Sequence, residues 1–212
     1  MEQQLPQQGP LIRIGLPAPE FRARTTMGER TLRDYRGRWL VFFSHPADFT
    51  PVCTSEFVAL ARAAPRFAEM GCDLLALSVD SLFAHLSWAL DIERHFGVEI
   101  PFPIVEDPSM AVAAAYGMIA ADSPDSATVR ASFVIDPKGI LRAMIWYPMT
   151  NGRSVEEMLR LVAALQETDH TGLSTPEGWQ PGSALVRPPA QTLAEARQRA
   201  GEGSWYFTPG AP

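Results

Sequence analysis

The chain reads as an α/β protein built on a central mixed β-sheet flanked by helices, and three observations carry that reading. Trp39, Leu40, Val41, Phe42 and Phe43 form an unbroken aliphatic and aromatic run of the kind buried on both faces of a sheet. An amphipathic segment from Ser55 to Met70, ended by Gly71 as a helix C-cap, leads into a second such run, Leu74 to Val79. Strand, helix, strand is the pattern of a parallel βαβ unit. The runs Ala131 to Ile135 and Ile140 to Trp146 flank Asp136, Pro137, Lys138 and Gly139, a strong turn signal, and so predict an antiparallel hairpin.

The remaining elements follow in order. A helix starts near Asp80 and Ser81, places Phe83, Leu86 and Leu90 at helical spacing, and stops at Gly97. Pro101 to Val105 predicts a short strand, and a helix is expected around Ser109 to Tyr116. Ser154 caps a final amphipathic helix, with Glu156 and Glu157 in its first turn and Met158, Leu161, Val162 and Leu165 along its apolar stripe. The compact domain is therefore expected over residues 11–168, after a flexible Gln- and Pro-rich lead-in at residues 1–10. From residue 169 to 212 the composition shifts to Pro, Gly and Gln, with Trp179, Trp205, Tyr206 and Phe207 scattered through it. Such a C-terminal arm cannot form a core alone, so it packs on its own domain or across a partner subunit.

Composition narrows the function. With 212 residues and 46% hydrophobic content the chain can bury a full core. A net charge of −6 disfavours a nucleic-acid partner, whose binding draws on Lys and Arg. The N-terminus has neither the basic start nor the apolar stretch of a secretory signal. The longest apolar stretch, Met110 to Ala121, is too short for a bilayer and is broken by Gly117. A soluble, cytoplasmic protein with no membrane partner is expected. Two cysteines, Cys53 and Cys72, are too few for a disulfide framework; they are either buried filler or chemistry.

The segment Ser44 to Phe57, directly after the central strand at Trp39 to Phe43, concentrates the chemistry-bearing residues. Thr50 followed by Pro51 is a helix start with Thr as N-cap and Pro at the first position, which puts Cys53 at the third. In that turn the helix end and free backbone N–H groups stabilise an anion, lowering a thiol pKa from about 8.5. Cys53 then reads either as a reactive thiolate or as an ordinary buried cysteine. Thr54, Ser55 and Glu56 follow it, so there is no Cys-x-x-Cys and thioredoxin-type exchange is disfavoured. Asp48 reads as a loop cap, and Cys72 as a core residue.

Pro46, Thr50 and Cys53 match the Pro-x-x-x-Thr-x-x-Cys signature of the peroxiredoxins position for position. With His45 before the motif proline, the segment resembles the one-cysteine, peroxiredoxin-6-like subgroup of the alkyl hydroperoxide reductase and thiol-specific antioxidant family. The likeness continues through Asp73 to Ser81, Arg130 with Phe133 to Gly139, Tyr147-Pro148 with Gly152-Arg153, and Trp179-x-Pro-Gly, covering nearly the whole chain. The resemblance implies a thioredoxin-like fold and an antioxidant peroxidase that needs no cofactor or metal. In it the Cys53 thiolate attacks the O–O bond of hydrogen peroxide or an organic hydroperoxide and becomes a sulfenic acid.

By the same resemblance Arg130 stabilises the thiolate and the developing peroxide charge, Thr50 exchanges the peroxide proton, and Pro46 shields the sulfur. Glu56 would orient Arg130, and Arg153 is a second arginine near the pocket; without the motif, surface salt bridges would be the plainer reading of both arginines. His45 is open between a hydrogen bond near the pocket, action on the thiolate, and a bond to a backbone carbonyl. With no cysteine in the arm and a helix between Cys53 and Cys72, a one-cysteine mechanism with an external thiol reductant is expected. A homodimer is implied, with a ring of dimers left open. Two other functions compete: acyl transfer by a Cys53–His45 pair, which lacks an evident third group, and a holdase assembly. Phospholipid hydrolysis is not expected, because the chain has no Gly-x-Ser-x-Gly.

Overall fold

The computed structural model describes residues 12–119, 125–201 and 204–210. The expected lead-in at residues 1–10, and Ala120 and Ala121 at the end of the apolar stretch, lie outside the described residues. The chain divides into two compact units, Met1–Val155 and Glu156–Pro212.

The first unit is a seven-stranded mixed sheet in the order β2-β1-β5-β4-β3-β6-β7. Its strands are β1 (Arg22–Thr25), β2 (Gly28–Thr31), β3 (Trp39–Ser44), β4 (Cys72–Ser78), β5 (Ile104–Glu106), β6 (Arg130–Ile135) and β7 (Leu141–Tyr147). The central strand is β3, every residue of which is buried, as its unbroken apolar run requires. It pairs in parallel with β4, Trp39 opposite Cys72 and Ser44 opposite Leu77, and antiparallel with β6. The right-hand edge is the predicted β6–β7 hairpin, closed at Asp136, whose Oδ1 accepts from the N–H groups of Lys138 and Ile140.

Alternation along the strands sorts the core into two faces. One face carries Leu40, Phe42, Leu75, Leu77, Val105 and Phe133 in one buried cluster. The other presents Phe43, whose ring meets Phe57 and Phe102 edge-on at 5.8 Å each. Phe57 belongs to α1 (Pro51–Glu69), which connects β3 to β4 and completes the βαβ unit. Helix α1 thus begins just beyond the C-terminal end of β3.

Helix α2 (Leu82–Phe96) begins at Ser81, whose hydroxyl accepts from Ala84 N–H, and ends at Gly97, with φ +65°. Its buried face is a correction to the stripe read from the sequence. Phe83, Leu86 and Leu90 are 75%, 40% and 68% exposed, whereas His85, Trp88 and Ile92 are buried. Two apolar stripes share this helix, and only the tertiary contacts of Trp88 choose between them: its ring lies 4.5 Å from Phe57 and its Nε1 donates to Thr54.

Other elements also differ from expectation. The strand placed at Pro101 to Val105 is β5, because Pro101 and Pro103 have no N–H to donate to a ladder. Helix α3 covers only Ala111–Ala115. The hairpin β1–β2 and the 3₁₀ turn Leu32–Tyr35 carry no periodicity long enough to announce them.

The second unit is described by itself. Helix α4 (Val155–Thr171) supplies it with Ala164, which joins Trp179 and Leu185 in a small buried cluster. Trp179 also donates from Nε1 to the carbonyl of Ser183. Two-residue strands β8 (Leu185–Val186) and β9 (Pro209–Gly210) pair antiparallel. A short helix, α5 (Leu193–Ala200), is capped by the Thr192 hydroxyl accepting from Glu195 N–H. This helix falls in a segment where sequence periodicity was too weak to show one.

Candidate active site

The site is built where β3 ends. His45 N–H still donates to the carbonyl of Leu77, so the chain leaves the sheet only at Pro46, which is buried. Phe49 then takes a left-handed backbone at φ +54°, which turns the chain into α1. Thr50 occupies the N-cap position with extended backbone, and Pro51 opens the helix. The Thr50 hydroxyl, however, does not cap: it donates to the carbonyl of Ala47 at 2.9 Å, bracing the loop. Cys53 therefore sits in the first turn, fully buried, where unpaired helix N–H groups cluster.

Arg130, the first residue of β6, reaches this turn from the adjacent strand. Its Nη1 donates both to Cys53 Sγ at 3.3 Å and to Glu56 Oε2 at 2.9 Å. The other edge of the guanidinium is fixed by the carbonyl of Met149, which accepts from Nε at 2.9 Å and Nη2 at 2.7 Å. Glu56, three residues along α1 from Cys53, is shared by the second arginine. Its Oε1 accepts from Arg153 N–H at 2.7 Å and Nε at 3.0 Å, and its Oε2 accepts from Nη2 at 2.8 Å. Arg153 Nη1 continues to Ala131 O and Ser132 Oγ.

Burial pushes the Glu56 carboxyl up, but the Arg153 hydrogen bonds and charge, with that of Arg130, hold it below the usual carboxylate range. Surface salt bridges, the alternative for these arginines, do not fit: Arg130 and Arg153 are 2% and 8% exposed, and Glu56 is 4% exposed. The charges do not cancel. Among the described residues two guanidiniums face one carboxylate, leaving one buried positive charge directed at the cysteine sulfur.

His45 is packed against Phe57 at 4.7 Å and Trp88 at 5.2 Å, and its Nε2 is 2.8 Å from Asp48 Oδ1. Asp48 Oδ2 lies 2.7 Å from Nδ1 of His85. Asp48 is therefore more than the loop cap read from the sequence: it bridges two buried imidazoles. In the sequence, the apolar spacing of Phe83, Leu86 and Leu90 hides the helix face that carries His85. Donor atoms of His45, Asp48 and His85 lie within 4.8 Å of one another, a spacing a metal ion could use. Each facing nitrogen already has an Asp48 oxygen at hydrogen-bond distance.

Cys72 lies at the foot of the sheet, at the start of β4, and burial pushes its thiol up to about 12. The intervening helix α1 rises about 1.5 Å per residue, so the two cysteines sit at its opposite ends. Both are free and buried.

A single cysteine at a helix start, held by a buried guanidinium above a mixed sheet, defines a thiol-dependent enzyme. The chain belongs to the AhpC/TSA family, whose model matches residues 14–144. The C-terminal domain of 1-Cys peroxiredoxin matches residues 164–203. A peroxiredoxin of Aquifex aeolicus is 48% identical, covering 93% of this chain and 96% of its own. A peroxiredoxin 2 of Caldanaerobacter subterraneus is 47% identical, covering 89% and 86%. Among solved structures, a yeast mitochondrial 1-Cys peroxiredoxin superposes with a TM-score of 0.84 at 40% identity, covering 94% of this chain and all of its own. The peroxiredoxin 6 of Arenicola marina, as a Cys-to-Ser mutant, gives 0.83 at 34% identity, covering 94% and 99%. The fold is thus thioredoxin-like and the enzyme a thiol-dependent peroxidase of the one-cysteine kind.

Proposed function

We propose that Cys53 is the peroxidatic nucleophile and reduces hydrogen peroxide and organic hydroperoxides. The observation that carries this is the uncompensated positive charge of the Arg130–Glu56–Arg153 cluster, one N–H of which points at Cys53 Sγ. A thiolate there completes the neutrality of a buried cluster; a neutral thiol leaves a buried cation short of a partner.

In the reaction the sulfur lone pair attacks the nearer peroxide oxygen and the O–O bond breaks. The departing oxygen takes a proton as water or alcohol, and Cys53 becomes a sulfenic acid. Arg130, already fixed by Met149 and Glu56, stabilises the charge that moves onto the leaving oxygen without reorganising. Thr50, braced on Ala47, carries the hydroxyl that handles the peroxide proton, and buried Pro46 keeps water from the sulfur. Arg153 acts through Glu56 as a positioning residue.

An external thiol then attacks the sulfenic sulfur, water leaves, and a second thiol releases Cys53 as the reductant becomes a disulfide. The burial of Cys72 at the far end of α1 supports an external reductant. Glutathione and thioredoxin systems, which resolve the yeast relative, are the reductants to test first. Residues 11–168 form the peroxidase domain and residues 169–212 a dimerisation arm, for which the exposure of Trp205, Tyr206 and Phe207 is the support. No described helix is long and apolar enough to cross a membrane, and the free cysteines suit the reducing cytoplasm.

The deciding experiment is stopped-flow oxidation of the reduced protein by hydrogen peroxide, with sulfenic acid trapped and located by mass spectrometry. Rapid, stoichiometric modification confined to Cys53 is expected. An inert Cys53 sinks the reading.

A further inference from the structure

Below the loop that carries Pro46 and Thr50, His45, Asp48 and His85 form a buried chain, 0%, 7% and 0% exposed. Its protons can be counted from its partners. His85 Nε2 faces the carbonyl of Val105 at 3.2 Å, and a carbonyl only accepts, so Nε2 carries hydrogen. Among the described residues His45 Nδ1 is buried with no hydrogen-bond partner. A bare nitrogen is tolerated there more readily than an N–H with nothing to bind, which places the His45 proton on Nε2, facing Asp48 Oδ1. One proton remains, between His85 Nδ1 and Asp48 Oδ2.

We infer that His85 is a positioning residue that holds this proton as well as its own, so that a doubly protonated His85 anchors Asp48 as an anion and keeps His45 neutral with Nδ1 bare. The positive charge is thereby held on His85 and not on His45, which packs against Phe57 of the Cys53 helix, and no second cation competes with Arg130. Burial lowers the affinity of His45 for a second proton, and the two imidazole hydrogen bonds outweigh burial in keeping Asp48 ionised. The other charged groups facing the chain are anchored. Asp80 Oδ2 accepts from the Asp48 backbone N–H and the Ser78 hydroxyl, and Glu106 is paired with Arg24 and accepts from Leu82 N–H. Through His85, Asp48 thus also ties the active-site loop to α2 and, by way of Val105, to β5. The inference deepens the peroxidase reading and rests on it for its consequence in catalysis, but not for its proton assignment.

The test is the imidazole ¹⁵N spectrum of reduced, ¹⁵N-histidine-labelled protein near neutral pH, with the exposed His95 and His170 as internal references. Two signals protonated on both nitrogens at His85, and a bare Nδ1 with a protonated Nε2 at His45, are expected. In Asp48→Asn the amide can donate to His85 Nδ1 and accept from His45 Nε2–H, so His85 becomes neutral while His45 keeps its tautomer. In His85→Phe, Asp48 loses one donor and His45 takes up a second proton. The rate of Cys53 oxidation then falls roughly tenfold, a scale typical of losing an orienting partner, and its pH profile gains an inflection from His45.

A neutral His85 in the wild-type protein, a proton on His45 Nδ1, or a stoichiometric metal ion bound by the three residues overturns the inference. So does an even loss of rate at all pH values in His85→Phe with the His45 signals unchanged, which marks a merely structural residue. Should His85→Phe fail to fold, the wild-type and Asp48→Asn spectra decide. An inert Cys53 alongside the expected spectra refutes the peroxidase reading and leaves the proton assignment standing.

Discussion

Arg130 divides one N–H edge between a sulfur and a carboxylate, and this division makes its replacement informative. Arg130→Gln keeps a donor but removes the charge that faces Cys53. The second-order rate of Cys53 oxidation is expected to drop by about 10² or more, as for loss of a preorganised donor at a developing charge. Stopped-flow fluorescence against peroxide concentration measures it. Glu56→Gln tests the scaffold instead. Removing one carboxylate strands two buried guanidiniums, so the cost at neutral pH is expected to be about 3 kcal/mol by urea unfolding. The folded protein holds Glu56 below its usual range, so its stabilisation is full above the unfolded value of about 4.3 and is lost as pH falls through the folded one. The acid limb of the stability profile should therefore be shallower in Glu56→Gln than in the wild type.

At the scale of elements, the site exists because one strand ends where one helix begins. The apolar run of β3 is buried on both faces, the loop turns at Phe49, and α1 starts at Pro51, which aims its first turn at the end of β6 where Arg130 stands. Helix α2 holds this arrangement from the side through Trp88 and Thr54. Its end depends on Gly97, whose φ of +65° an L side chain rarely adopts, although a Cβ there meets nothing within 4 Å. Gly97→Ala is accordingly a purely conformational test: a loss of about 1 kcal/mol in chemical denaturation is expected, with the Cys53 oxidation rate unchanged. The exposed Phe83 and Leu90 on the outer face of the same helix contribute nothing comparable to its anchoring.

For the whole molecule, the second unit buries few large side chains and exposes several. Trp179 is 3% exposed, whereas Trp205, Tyr206 and Phe207 are 43%, 70% and 59% exposed. The proposed dimerisation arm would account for that distribution. Sedimentation velocity is expected to show a dimer, and the triple change Trp205→Ser, Tyr206→Ser, Phe207→Ser to shift it toward monomer; a monomeric wild type would remove the arm from the proposal. The sequence made the large plan of the molecule readable where local pattern is long: the β3 run, the βαβ unit, the Asp136 turn and the helix starts at Pro51 and Ser81. It was silent where elements are short, as at β1, β2 and α5, because four to eight residues hold too little periodicity to outweigh the propensities of their neighbours.

By itself the sequence determined the fold class, the motif residues Pro46, Thr50 and Cys53, and the helix start that brings Cys53 into the first turn, because these depend on chain neighbours. Only the tertiary structure decided that Arg130 and Arg153 are buried rather than superficial, that Glu56 is shared between them, and that Asp48 joins His45 to His85. Those pairings link residues 74, 97 and 37 positions apart. No local pattern encodes them; they follow from the register of β6 beside β3 and from which face α2 turns inward.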